Sequence, residues 1–368
     1  MSKSSSAASP ATVLDADATD LFGLTAALVA VPSESHHEAE LADLVEARLC
    51  ERAPSLTIDR VEHNVVVRTQ LGRDRRVLLG GHLDTVPVND NATPRIEGDI
   101  LHGLGSADMK GGIAVLLALA ERIADARFDV TLVFYEAEEV AEAFNGLRTL
   151  FRDRPDLVAG DLAVLLEPTE GWVEAGCQGT LHMRAEFDGT RAHSARPWMG
   201  ENAIHRAADV LSRLAAHPAA TVSVDGLDFR ESQQVVRIEG GIANNVVPDA
   251  CAIVVNRRFA PGYSIEEARE QTEELLAGAD RIEVLNASPA APPNLMNPLV
   301  AEFIGTLDLA VRPKLGWTDV ARFAAHGIPA LNFGSGDPEI AHTRGEFVSR
   351  EAVEGCYAVL AHFLGIGS

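Results

Sequence analysis

The sequence predicts an α/β fold: a mixed, mostly parallel sheet between helices, interrupted by a smaller inserted α+β domain. Three observations lead there. Apolar strand-like runs alternate with helical stretches from about residue 57 to 167, the order that builds a parallel sheet with crossover helices. From Cys177 to about residue 290 the texture becomes long alternating strands with two helices between them, a βαββαβ-like order. After the Pro/Ala-rich "NASPAAPPN" the first texture returns. A chain of 368 residues is also long for one core. The expected division is a disordered tail at 1–14, a main domain at 15–176 and 291–368, and an inserted domain at 177–290.

The elements follow in order. A helical pattern over 19–53 breaks at "VPSES", where Ser33 or Ser35 is the candidate cap for a helix starting near His37. Strands are expected at "LTIDRV", "NVVVRTQ" and "RVLLGG". The Gly-rich "HGLGSADMKGG" leads into the apolar helix "IAVLLALAERIA". Next come the strand "VTLVFYE", a helix at "NGLRTLFRD" and the strand "DLAVLLEP". In the insertion, "TLHMRAEFDGT" and "QQVVRIEGGIANNVVPDACAIVVNRRF" supply strands, and "NAIHRAADVLSRLAAH" and "SIEEAREQTEELLAG" supply helices. The last part holds "WTDVARFAAHG", the strand "IPALNFG" and a helix from about Ser349.

Composition narrows the function. A net charge of -23 opposes a nucleic-acid partner, because phosphate binding needs clustered Lys and Arg. An anionic substrate would need a local basic pocket. Hydrophobic residues make up 46% and charged ones 23%, as in a soluble globular protein. Cys50, Cys177, Cys251 and Cys356 form no CxxC pair, so reduced thiols and a cytoplasmic setting are expected. The N-terminal "MSKSSSAASPAT" lacks the apolar region of a signal peptide, and no run is long enough for a membrane span.

The chemistry gathers at strand ends. His82 and Asp84 follow "RVLLGG", Asp108 precedes a helix in "GSADMKGG", Glu138 and Glu139 close "VTLVFYEAEE", Glu167 closes "DLAVLLEP", and His342 follows "LNFGSGDPEIAH". Each has a plainer reading alone: a polar loop, a helix cap, or an acidic helix start. Together they lie along the rim where a parallel sheet collects functional residues. Two His and several carboxylates without Cys suit zinc, cobalt or manganese. A carboxylate bridging two cations about 3.5–4 Å apart needs one shared ligand and two more for each ion. Asp108 as bridge, His82 with Glu167, and Glu139 with His342 would fill that set. Asp84, two residues after His82, is expected to accept the other ring N–H of that histidine. Glu138 is then free to act as general base. His37, His63 and His362 lack such context.

These motifs, with "GTRAHSARPWMGENAIH" and "NNVVPD", resemble the M20 co-catalytic metallopeptidases and deacylases over nearly the whole chain after the tail. The resemblance implies a zinc-exopeptidase-like main domain and two zinc ions, for which cobalt or manganese can substitute. It implies the same ligand set, Glu138 as general acid/base, Asp84 beside His82, and a cis peptide at Asp108–Met109. It also implies a homodimer formed through the inserted domain, which would act as a lid. His193 would reach the active site of the other subunit and bind the oxyanion. Arg196, Asn244, Asn245 and Arg258 match positions that contact substrate carboxylates or hold the lid, and Gly334, Ser335 and Gly336 match a loop beside the substrate. Ser335 departs there from the more usual Gly-Pro-Gly.

Within the family, "EAGCQGTL", "NRRFAP", "GWTDVARFAAHGIPA" and "GDPEIAH" resemble the actinobacterial branch that removes succinate from N-succinyl-LL-2,6-diaminopimelate. The expected reaction is hydrolysis of that small anionic acyl-amino acid to succinate and LL-2,6-diaminopimelate, in lysine biosynthesis. Rival readings are an N-acetylornithine deacetylase, another acyl amino-acid deacylase or a carboxypeptidase, whose metal residues would be the same. A metal-binding dimer without catalysis is the non-enzyme rival, and the presence of Glu138 argues against it.

Overall fold

The structure, a computed structural model, describes Leu14 and residues 16–366. The expected tail lies outside the described residues except for Leu14. That residue is buried, and its carbonyl accepts a bond from Arg48.

The chain divides into two compact units. The first runs to Ala175 and resumes at Asn294–Arg312 and from Arg322 onward. Its frame is a sheet ordered Thr57–Val61, Asn64–Arg68, Asp129–Tyr135, Arg76–His82, Leu162–Leu165, Ala330–Asn332, followed by the strand that starts at Val173. The four strands from 129–135 to 330–332 are mutually parallel, and antiparallel neighbours flank them. Asp129–Tyr135 and Leu162–Leu165 are buried at every position. That burial on both faces explains why they read as unbroken apolar runs. The helix Gly111–Ala120 is likewise buried along its whole length. It packs against the helices Leu21–Val29 and Arg350–Leu364.

The second unit comprises Gly176–Pro293 and Pro313–Ala321. Its antiparallel sheet has the order Ser232–Gly240, Ala250–Phe259, Gly179–Asp188, Arg281–Ser288. The helices Ala203–Ala216 and Ile265–Leu275 contribute Ala207, Val210 and Ala268 to a core with Met183, Phe187 and Ile253. Ser264 and Glu267 form a reciprocal cap at the start of the second helix.

Four features depart from the sequence reading. Residues 313–321, expected in the main domain, go with the second unit. There Gln178 N–H donates to the Lys314 carbonyl at 3.3 Å, and Trp317 Nε1 donates to the Pro289 carbonyl at 3.1 Å. The helix Pro298–Gly305 and the hairpin Thr221–Arg230 were not anticipated. Neither Ser33 nor Ser35 caps the second helix, which spans Ala39–Arg52. Their hydroxyls instead donate to the Leu83 carbonyl and to Asp84 Oδ2, each at 2.7 Å.

Candidate metal centre

Strand register in the first unit brings several sequence-predicted residues to one rim. His82 ends its strand, paired with Tyr135 on one neighbour. On the other side Gly80 pairs with Leu165, so Glu167 lies two residues past its partner just as His82 does. Asn332 pairs with Leu165 from beyond, which carries the Gly334–Gly336 turn over Glu167.

Asp108 arrives from an irregular turn, Ser106–Lys110, in which Asp108 and Met109 leave helical geometry. The Asp108–Met109 peptide is cis. Glycine permits the close fit. A Cβ on Gly81 would stand 2.8 Å from Met109 Cε, and one on Gly336 would stand 2.3 Å from the Ala107 carbonyl oxygen. Gly334 lies equally close to the Glu167 carbonyl, at 2.4 Å from such a Cβ. The Gly334–Gly336 loop is buried against the main chain of both segments. Bracing them is the work visible for it, and the Ser335 side chain is turned inward.

The side chains converge on Asp108. His82 Nε2 lies 3.0 Å from its Oδ1, and His342 Nε2 lies 3.3 Å from its Oδ2 and 2.8 Å from Glu139 Oε1. Two imidazoles thus face the two oxygens of one carboxylate. His82, Asp108 and Glu139 each offer a ligand atom within 4.8 Å of the others. Glu167 is buried on the neighbouring strand end, and Glu138 is partly buried.

Electrostatics fit a cation at this point. Hydrogen bonds to Asp108 and Glu139 push the His342 pKa up to about 10. Burial opposes charge on His82, yet its contacts with Asp108 and Asp84 hold its pKa well above the usual histidine value. Asp108 is held far below the ordinary carboxylate range by both histidines, against its burial. Each of these ring nitrogens stands beside carboxylate oxygens that a cation would neutralise. The donors are nitrogen and oxygen only, which suits a borderline divalent ion.

Asp84 differs in detail from the sequence expectation. His82 Nδ1 lies 3.0 Å from the carbonyl oxygen of Asp84 and 3.5 Å from its carboxylate. The carbonyl therefore takes the ring N–H, and the carboxylate is only an electrostatic neighbour. Its Oδ1 accepts Glu138 N–H at 3.0 Å, and its Oδ2 accepts Glu139 N–H at 3.0 Å. Asp84 thus holds the turn carrying both glutamates.

Sequence reasoning missed Glu346 and Lys110. Glu346 is buried and accepts the N–H groups of Gly105, Ala107 and Asp108 at 2.9–3.1 Å. Burial raises its pKa to about 7, against the pull of those amides. Lys110 Nζ donates to the Val31 carbonyl at 2.7 Å, and burial lowers its pKa to about 7. Neither stands out locally, because Glu346 lies in "HTRGEFVSR" and Lys110 in "SADMKGG", each with other charged residues close by.

The remaining predicted residues lie in the second unit. A short pairing of Ala192–His193 with Val246–Val247 puts His193 beside Asn244 and Asn245, and Ser194 N–H donates to the Asn245 carbonyl at 2.9 Å. His193 and Arg196 are exposed, as are both asparagines. His193 Nδ1 accepts Ala195 N–H at 3.1 Å, which leaves the ring proton on Nε2. Arg258 is half-buried near His182, and burial lowers its pKa. Unlike Arg257, which pairs with Glu231 at 3.7 Å, it forms no ion pair among the described residues.

With this geometry in hand, the sequence profile described as Peptidase family M20/M25/M40 matches residues 78–365. The chain belongs to this family. A putative succinyl-diaminopimelate desuccinylase DapE of Mycobacterium tuberculosis is 48% identical over 94% of the chain and 98% of the relative. A succinyl-diaminopimelate desuccinylase of Corynebacterium glutamicum is 44% identical over 94% and 97%. An acetylornithine deacetylase of Myxococcus xanthus is 30% identical over 92% and 96%. Among solved M20-like folds, the aminopeptidase PepT of Bacillus cereus superposes with a TM-score of 0.79 at 20% identity, covering 95% of this chain and 98% of that one. A dinuclear metal-binding M20 peptidase of Bacillus subtilis gives 0.70 at 16%, covering 95% and 99%. These last two carry the fold alone. No helix among the described residues is long and apolar enough to cross a membrane.

Proposed function

We propose that the protein hydrolyses the amide of N-succinyl-LL-2,6-diaminopimelate, releasing succinate and LL-2,6-diaminopimelate, and does so in the cytoplasm as a homodimer. The observation that carries this reading is near-full-length identity of 44–48% to relatives bearing that activity in their names. The weaker likeness to an acetylornithine deacetylase ranks that substrate second.

His82, Glu167, Asp108, Glu139 and His342 would hold two divalent ions, with Asp108 shared; zinc is the favoured metal, and cobalt or manganese would substitute. When bound, such ions acidify water and polarise the amide carbonyl. Glu138, fixed by its own N–H to Asp84, would take a proton from the attacking water and return it to the leaving amine. His193, with its proton on Nε2, is the donor assigned to the developing oxyanion. The homodimer implied by the resemblance would deliver it from the second subunit. In support, the edge strand Ser232–Gly240 exposes Val236 and Ile238. Arg258 and Arg196, with Asn244 and Asn245, would recognise substrate carboxylates and supply the local positive charge that a net charge of -23 withholds.

The test is succinate and amine release from a panel of acyl amino acids with the metal-loaded enzyme, before and after chelation. Succinyl-diaminopimelate should be turned over fastest, with activity lost on chelation and restored by zinc. Faster turnover of N-acetylornithine would overturn the substrate, and full activity after verified metal removal would overturn the chemistry.

A further inference from the structure

Four successive amides, from Glu136 to Glu139, turn away from the sheet and end on side chains. Glu136 N–H donates to Asn64 Oδ1 at 3.1 Å, and Ala137 N–H to Glu38 Oε1 at 3.1 Å. Glu138 and Glu139 N–H both go to Asp84, at 3.0 Å. Asn64 also donates to the Glu136 carboxylate at 2.9 Å, tying the start of the turn to the neighbouring strand. A buried turn cannot leave these donors unmet. The backbone is costly as well, since Ala137 sits in the left-handed region at φ 56.

Glu38 is the least expected member of this set. It immediately precedes the helix Ala39–Arg52, where an acidic residue would ordinarily serve its own helix end, yet its side chain makes no cap bond there. It is fully buried. Its Oε1 also accepts His36 N–H at 3.0 Å, and His36 is itself left-handed at φ 72. One buried oxygen thus stabilises two unfavourable backbone sites, one in each of two segments meeting at the rim. The same segment sends Ser33 to the Leu83 carbonyl and Ser35 to Asp84. "SESHHE" is therefore built around the reacting turn, although it reads as a simple helix break.

We propose that Glu38 is a positioning residue for Glu138: by accepting the Ala137 N–H it fixes the direction in which the next residue presents its carboxylate. This rests on the reading of Glu138 as the proton carrier. A geometric role of this kind acts on turnover and leaves substrate affinity and metal content alone, because Glu38 touches neither.

The experiment compares Glu38→Ala and Glu38→Gln with the wild type as metal-loaded full-length enzyme, using the best substrate of the panel. Metal per chain and thermal unfolding are recorded alongside kcat and KM. In Glu38→Ala, kcat should fall about 10- to 100-fold, the scale of a misplacement near 1 Å. KM should stay within about twofold and metal content should be unchanged. In Glu38→Gln, whose amide oxygen accepts the same N–H, most of the lost kcat should return. Wild-type kcat in folded Glu38→Ala overturns the proposal, as does a loss tracking lost metal. If Glu38→Ala does not fold, Glu38→Gln decides alone: kcat below about a tenth of wild type, with metal retained, would show that an acceptor is insufficient and overturn it. Glu138→Gln is measured in parallel. If that variant keeps full turnover, the base assignment fails by itself, whatever the Glu38 series gives.

Discussion

Replacing Asp84 with Asn separates two roles for one carboxylate. If Asp84 acted mainly by steering His82, the neutral amide would weaken metal binding first. The observed bonds point elsewhere, because the ring N–H of His82 goes to the Asp84 carbonyl, which the substitution keeps. What changes is the acceptor pair facing Glu138 N–H and Glu139 N–H. In either orientation of the Asn amide, one of those partly buried N–H groups meets an NH2 and loses its acceptor. A stranded buried donor costs about 1–3 kcal/mol. If that cost falls mainly on the transition state, the rate drops roughly 5- to 150-fold. Asp84→Ala strands both donors, about 2–6 kcal/mol, shared between stability and rate. The assay is kcat and KM with metal per chain, alongside thermal unfolding. Asp84→Asn should lose turnover with its metal retained. A kcat within about twofold of wild type, or a loss matching metal loss in proportion, would refute the argument.

Two further outcomes follow from the same geometry. Glu346 has a folded pKa of about 7 against an ordinary value of 4.5, so the folded state holds a proton that the unfolded chain releases. Its contribution is complete below about pH 4.5 and is lost as pH rises through about 7. Unfolding of the metal-free protein between those limits should show that decline, and Glu346→Gln should flatten it; an unchanged slope would contradict the assignment. Arg258→Ala should raise KM and lower kcat/KM about 10- to 150-fold, the value of a charge-assisted contact of roughly 1.5–3 kcal/mol, with Arg258→Lys between. An unchanged KM for the succinyl substrate would remove Arg258 from carboxylate recognition.

How much was legible in the sequence depended on whether the signal was local. Strand runs such as "RVLLGG" and "VTLVFYE" are continuous because both faces are buried, so their positions could be read directly. Candidate ligands could be read because polar residues at the ends of apolar strands are conspicuous, and parallel register then aligns His82 with Glu167. The segment 313–321 was missed because its partners lie far away in the chain, whereas the helix Pro298–Gly305 did carry a local signal, the Asn297 cap followed by Pro298.

By itself the sequence determined the α/β class, the presence of an inserted α+β domain and the candidate nitrogen and oxygen donors, for these follow from periodicity and residue type. Only the tertiary structure decided which atoms meet. It gave the ring N–H of His82 to a carbonyl, turned the Asp84 carboxylate to two amides, and buried Glu38 and Glu346 beneath the loops that carry Glu138 and Asp108. The physical reason is that a backbone N–H is the same in every residue. Which of them lacks a ladder partner, and which distant carboxylate must take it, exists only once the chain has folded.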